Sequence, residues 1–133
     1  MSALQGRRIL ITGAGSGIGA VTAGLAVEAG ARVALLDRDG AAAEATATRL
    51  GRANALAIAG DVTDAEAIAR ALGAMDEAWG GIDDLVNNAG TWDHDPLLEL
   101  TLERWRRVFE VNLMAPSPSP GPRCRAWRPA AAS

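Results

Sequence analysis

Short apolar runs alternate with longer stretches rich in small residues along the first 115 positions of the chain. The runs are continuously apolar rather than alternating with polar residues, which is typical of strands buried on both faces of a parallel sheet. They predict four strands, within Arg8–Thr12, Ala31–Asp39, Asn54–Asp64 and Ile82–Gly90. The stretches between and after them predict four helices, at Ala20–Ala29, Ala41–Leu50, Ala65 to about Trp79, and Thr101–Leu113.

The third of these helices has a start signal in the sequence. Thr63-Asp64-Ala65-Glu66 matches a capping box, in which Thr63 caps the helix and Glu66 reaches back to it. The regular alternation of strand and helix predicts an α/β fold, with a parallel sheet covered by helices on both faces. The crossovers should be right-handed.

The pattern ends near Ala115. Five of the six prolines follow that residue, so residues 1–115 are predicted to form the folded unit and residues 116–133 an irregular tail. The tail consists mostly of residue types with GC-rich codons, which suggests a frameshift near Ala115. The rival hypothesis is a natural short protein with a disordered tail.

Composition excludes several classes of protein. The apolar fraction is 49% and the charged fraction 22%, which are ordinary values for a globular domain. A net charge of −3 gives no reason to expect nucleic acid or an anionic membrane as partner. No apolar run approaches the roughly 20 residues of a membrane helix. The single cysteine, Cys124, provides no disulfide framework and fits a cytoplasmic location.

The segment Gly13–Gly19 is rich in glycine, follows a predicted strand and opens a predicted helix. That placement predicts a dinucleotide-binding turn, where the backbone approaches a pyrophosphate at a helix N-terminus. Asp37 ends the next strand, where a carboxylate can accept hydrogen bonds from ribose hydroxyls and repel a 2′-phosphate. These features predict NAD in preference to NADP, although Arg38 would partly offset the repulsion. The alternatives are a turn that only packs helix on strand and an acid that only ends a strand.

The chain resembles the short-chain dehydrogenases/reductases at four motifs in order. Thr12–Gly19 (TGAGSGIG) is similar to their T-G-x-x-x-G-I-G, Asp61-Val62 to the pair that meets the adenine ring, and Asn87–Gly90 (NNAG) to their N-N-A-G. Asn112 matches the asparagine of their active site. The resemblance covers the N-terminal half of the family's fold, a Rossmann-type sheet of strand order 3-2-1-4. It implies that NAD is held by Gly13, Ser16, Gly17, Ile18, Gly19, Asp37, Asp61, Val62, Asn88, Ala89 and Gly90.

The resemblance also implies hydride transfer between a nicotinamide cofactor and an alcohol or carbonyl. In that family a tyrosine is the acid/base, a lysine lowers its pKa, a serine positions the substrate oxygen and an asparagine holds a water. This sequence contains no tyrosine and no lysine, and it does not reach the segment that carries the serine. Only Asn112 of the four is present, so three functions compete: an oxidoreductase, a nucleotide-binding fragment without turnover, and a nonfunctional product.

Two further groups of polar residues are candidates for function. His94 lies between Asp93 and Asp95, a cluster that is interpreted as a polar loop, with a metal site or proton relay as alternative. Arg104, Arg106 and Arg107 are interpreted as a solvated face of the fourth helix.

Self-association is also expected. The fourth strand would form an open sheet edge, which is prone to pair with other chains. The resemblance implies that the region of the Thr101–Leu113 helix helps to form a subunit interface.

Overall fold

A four-stranded parallel sheet lies at the centre of a computed structural model, which describes residues 2–92, 94, 96 and 98–115. The strands are β1 Arg8–Thr12, β2 Arg32–Asp37, β3 Ala55–Ala59 and β4 Asp84–Val86. The helices are α1 Gly17–Glu28, α2 Gly40–Leu50, α3 Ala65–Trp79 and α4 Leu102–Phe109, with a π-helical turn at Glu110–Met114. The predicted tail at 116–133 lies outside the described residues.

The order of strands in the sheet is β3-β2-β1-β4, which confirms the predicted topology. Ile9, Leu10 and Ile11 of β1 pair with β2 on one side and with β4 on the other. β1 is therefore a central strand, and its continuous apolar run follows from burial on both of its faces.

The apolar residues divide into two layers, one on each face of the sheet. Ile9, Ile11, Val33 and Leu35 pack against the small residues of α1 and α2. The alternate residues of β1 and β2, Leu10, Ala34 and Leu36, pack with Ala71, Met75 and Ile82 on the face covered by α3. Alanine recurs on the inner side of every one of these three helices, which lets them approach the sheet closely.

Two ion pairs join β1 to the start of β4 at the amino-terminal end of the sheet. Arg8 Nη2 lies 2.7 Å from Asp83 Oδ1, and Arg7 Nη2 lies 2.5 Å from Asp84 Oδ1. The Asp83 side chain is 11% exposed, whereas that of Asp84 is 36% exposed. The inner pair is therefore the better shielded of the two.

Four predicted features need correction. Helix α1 begins at Gly17 rather than at Ala20, because the end of the glycine loop forms its first turn. The fourth strand is only three residues long and ends at Val86. Beyond it, Asn88 donates hydrogen bonds to Thr12 instead of continuing the pairing of β4 with β1. Asp64, not Thr63, caps α3 by accepting from Glu66 N at 2.9 Å, since the Thr63 hydroxyl donates to Asp61. The last turn of the fourth helix is π-helical rather than α-helical.

The described helices also bear on the membrane prediction. None of them combines the length and the hydropathy required to cross a bilayer.

Candidate functional site

The predicted binding residues gather at the carboxyl end of the sheet, where each strand passes into a loop. β1 continues into the glycine loop, β2 ends at Asp37, and Asp61 follows β3. Gly60 N donates to Asp37 O at 2.9 Å, so the ends of β2 and β3 lie side by side. This edge is where ligands bind in open parallel sheets.

The glycine loop brings α1 close to the end of β1. A Cβ on Gly19 would lie 2.2 Å from the carbonyl oxygen of Gly13, so a larger residue would push the helix away. A Cβ on Gly17, in contrast, would meet nothing within 4 Å. Ser16 is the N-cap residue of α1 but makes no side-chain capping bond. The first turn of α1, which includes Ile18, therefore presents backbone N–H groups toward open space.

Asp37 is held against this loop by two backbone donors. Gly15 N donates to its Oδ2 at 2.8 Å and Asp39 N donates to its Oδ1 at 2.9 Å. A Cβ on Gly15 would lie 2.9 Å from the carboxylate, so the absence of a side chain permits this approach. Each carboxylate oxygen retains a lone pair, which leaves Asp37 able to accept two further hydrogen bonds.

Asn88 joins the end of β4 to the glycine loop. Its side-chain Nδ2 donates to the carbonyls of Thr12 and Gly13, at 3.0 and 3.1 Å. The buried Thr12 hydroxyl accepts from the N–H groups of Asn88 and Ala89, at 3.1 and 3.0 Å. Asn88 and Ala89 thus shape the loop through these bonds.

Asp61 forms a closed network with Thr63 and Arg107. Its Oδ1 accepts from Thr63 N at 2.9 Å and from Thr63 Oγ1 at 2.7 Å, while Arg107 Nη2 donates to Oδ2 at 2.5 Å. Arg107 Nη1 completes the ring at Thr63 Oγ1, 3.2 Å away. Partial burial raises the pKa of Asp61, but the hydrogen bonds from Thr63 and Arg107 outweigh it and lower the pKa to about 2.

Sequence reasoning missed the role of Arg107. It was one of three arginines interpreted as a solvated helix face, and that interpretation is wrong for Arg107 because its guanidinium binds Asp61 and Thr63. Position in the sequence alone does not distinguish it from Arg106 beside it, since both are arginines in the last turn of α4. Val62, next to Asp61, packs its side chain against the α3 layer of the core.

Asn112 uses its whole side-chain amide to hold the loop after β4. Its Oδ1 accepts from Thr91 N at 2.8 Å and its Nδ2 donates to Thr91 O at 2.6 Å. A Cβ on Gly90 would lie 3.2 Å from the same Oδ1. The side chain thus ties the π-helical turn to the N-N-A-G segment, a contact that sequence spacing did not reveal.

His94 lies apart from these residues. It contacts Trp92, whose Nε1 donates to His94 Nε2, and the two rings meet edge to face with centroids 5.7 Å apart. Its predicted neighbours Asp93 and Asp95 lie outside the described residues. Within the part of the chain that is described, no three metal-binding side chains come together.

Comparison with known proteins identifies the family. The chain matches the family described as short chain dehydrogenase over residues 7–117, and it belongs to that family. It is 46% identical over 110 residues to sorbitol dehydrogenase of Cereibacter sphaeroides, covering 83% of this chain and 43% of that protein. The chain therefore spans less than half the length of such curated relatives.

Solved structures agree with this assignment. A short-chain dehydrogenase/reductase of the glucose/ribitol dehydrogenase type from Brucella melitensis superposes with a TM-score of 0.80 at 32% identity, over 86% of this chain and 49% of that one. A 3-ketoacyl-(acyl-carrier-protein) reductase from the same organism, complexed with NADH, gives 0.79 at 34% identity, over 85% and 47%. The family binds a nicotinamide cofactor, and the described residues form its Rossmann-type half-sheet.

Proposed function

We propose that this chain binds NAD at the carboxyl end of its sheet and does not by itself catalyse hydride transfer. The observation that carries the proposal is the position of the Asp37 carboxylate, 2.8 Å from Gly15 N within the glycine loop. A carboxylate fixed beside a helix N-terminus suits a ligand that joins a ribose to a pyrophosphate. The similar reductase complexed with NADH supports the same type of ligand.

The residues present fit such a cofactor. The uncapped first turn of α1 and the open space over Gly17 suit a pyrophosphate, and the free lone pairs of Asp37 suit the two ribose hydroxyls. A 2′-phosphate would instead face the negative charge of Asp37, so NAD is the preferred form. Exposed Arg38 beside it would reduce this preference without reversing it.

Asp61 would accept a hydrogen bond from the adenine, and Asn88, Ala89 and Gly90 would line the nicotinamide half of the site.

When bound, the nicotinamide supplies a hydride acceptor or donor. The acid/base pair that the family uses for the proton that accompanies the hydride is missing, because the 133 residues include no tyrosine and no lysine. The amide of Asn112 exchanges no proton near neutral pH, and it is already bonded to Thr91. A positioned acid/base contributes about 10²–10⁴ in rate, so turnover by this chain alone should be undetectable.

The experiment is calorimetric titration of the purified chain with NAD and with NADP. Binding of NAD at least tenfold tighter than NADP is the expected result. Asp37→Ala should weaken NAD binding and narrow the difference between the two cofactors. Asp76→Ala removes the same charge from an exposed residue at the far end of α3 and is the matched control.

Three results would contradict the proposal. The absence of any NAD binding would overturn the site itself, and equal affinity for the two cofactors would overturn the role of Asp37. The third result is turnover by the purified chain with alcohols or ketones, followed by NADH absorbance and abolished by mutation of Asn112 or His94. It would contradict the proposal that this chain does not catalyse hydride transfer.

We also propose that the chain acts in the cytoplasm and self-associates. β4 forms one edge of the sheet, and its Leu85 is 51% exposed. The outer face of α4 carries exposed Leu102, Trp105 and Phe109. An open strand edge and an exposed apolar helix face each favour contact with a second copy.

A further inference from the structure

Helix α4 is attached to the sheet in an unusual manner. None of its eight residues is buried, and the π-helical turn that continues it buries a single apolar side chain, that of Val111. The guanidinium of Arg107 links α4 to the carboxyl end of β3, donating to Asp61 at 2.5 Å and to Thr63 at 3.2 Å. A side chain from a loosely packed helix thus determines the orientation of a carboxylate in the proposed binding site.

The hydrogen bonds of Asp61 leave little freedom. A carboxylate has about four lone-pair positions. Thr63 N and Oγ1 fill both positions on Oδ1, and Arg107 fills one on Oδ2. One position on Oδ2 remains, and the Asp61 side chain is 29% exposed, so a ligand can reach it.

We propose that Arg107 is a positioning residue that holds Asp61 so that its last lone pair selects a ligand base carrying an exocyclic amino group. This inference rests on the proposed function, in which adenine lies beside Asp61. The low pKa of Asp61, about 2, keeps the carboxylate a pure acceptor at any assay pH near neutrality. An acceptor held in one orientation favours a donor at one position of the base, whereas a freely rotating carboxylate adapts to several bases.

The proposal also couples helix α4 to the cofactor. An adenine that donates a hydrogen bond to Asp61 joins the hydrogen-bond network that also holds Arg107. Because Arg107 belongs to α4, this network restrains the helix. Cofactor binding should therefore protect the amides of α4 from exchange with solvent, although the helix contributes no other side chain to the adenine pocket in this proposal.

The test compares NAD with its purine analogue, which lacks only the 6-amino group, by calorimetry on the full chain. The unmutated chain should bind NAD about tenfold more tightly than the analogue, the effect of one hydrogen bond to a charged acceptor. Arg107→Met should reduce this preference to about twofold, by weakening the binding of NAD rather than by strengthening the binding of the analogue. Arg107→Lys keeps the positive charge and should restore part of the preference for NAD. Arg106→Met, an exposed neighbour on the same helix, should leave it unchanged.

Hydrogen exchange supplies the second readout. NAD should slow exchange of the α4 amides in the unmutated chain and in Arg106→Met, but not in Arg107→Met. If Arg107→Met prefers NAD over the purine analogue by the same factor as Arg106→Met does, the inference is overturned while NAD binding stays intact. Tighter NAD binding by Arg107→Met overturns it as well, because Arg107 would then compete with the base. If the unmutated chain binds neither dinucleotide, the proposed function fails and this inference fails with it.

Discussion

The part of the chain up to the end of α3 and the part after it differ sharply in how their elements are held. In the earlier part, the helices α1, α2 and α3 bury alanines and a methionine against the strands. In the later part, no residue of α4 is buried, Leu85 of β4 is half exposed, and Arg107 links α4 to the end of β3 through hydrogen bonds. The earlier part has the construction of a protein core and the later part that of an interface.

The difference also separates two groups of residues in the proposed binding site. The glycine loop and Asp37 belong to the earlier part, so their geometry is maintained by the core itself. Asn112 and Arg107 belong to the later part and are each fixed by a single set of hydrogen bonds, to Thr91 and to Asp61. We therefore expect the proposed pyrophosphate end of the site to tolerate changes in α4 and the proposed adenine end to respond to them.

The largest effect should come from comparing a core leucine with an exposed one. Leu35 is completely buried, and truncation of a buried leucine to alanine costs about 2–5 kcal/mol. Leu35→Ala should reduce the free energy of unfolding by that amount, measured by urea denaturation with far-ultraviolet circular dichroism. Leu102→Ala, on a helix face where the leucine is 63% exposed, should change it by about 0.5 kcal/mol or less. Equal losses for the two variants would show that α4 is packed as firmly as β2.

The earlier part of the chain was the more predictable from sequence. Its strands are buried on both faces, so a continuous apolar run identified β2 directly, and α3 was predicted to its last residue, Trp79. The short strand β4 was overestimated, because the N-N-A-G segment leaves the ladder to bond with Thr12. Local pattern does not encode such long-range polar contacts.

The same limit applied to the site. The glycine loop and Asp37 were predicted because each follows a strand that the apolar pattern indicates, and the structure places them together at 2.8 Å. Arg107 lies 46 positions from Asp61, and Asn112 lies 21 positions from Thr91. Neither pairing has a local signal, so only the folded structure reveals what these side chains hold.

A second prediction compares the two ion pairs that anchor β4 to β1. The Arg8 side chain donates hydrogen bonds to Asp83, and despite the opposing effect of burial the pKa of Asp83 falls from 3.8 to about 2. A carboxyl with a lowered pKa stabilises the fold above its unfolded pKa, and this contribution is lost as the pH falls toward 2. Asp83→Asn should cost roughly 2 kcal/mol at neutral pH and flatten the loss of stability between about pH 4 and 2.

Asp84→Asn is the matched control, since its pair with Arg7 is more exposed and should contribute less. Thermal unfolding followed across that pH range measures both variants. If the stability of Asp83→Asn falls as steeply with decreasing pH as that of the unmutated chain, the Asp83 carboxyl is not the source of the loss of stability in acid.

The smallest expected effect concerns association through α4. Trp105 lies on the outer face of α4, its ring 5.2 Å from that of Phe109, and it borders a shallow depression lined by Leu100 and Leu102. Exposed aromatic residues in such a setting are the side chains that dominate protein interfaces, and the loss of one costs 1 kcal/mol or more. Trp105→Ser should therefore weaken self-association about tenfold in sedimentation equilibrium while leaving the helical content unchanged. Trp92→Ser removes an equally large and even more exposed ring from the loop after β4, and it should not alter the association constant. If both variants weaken association equally, the contact is nonspecific, and if neither does, α4 is not the interface and the exposed edge at β4 becomes the surface to mutate next.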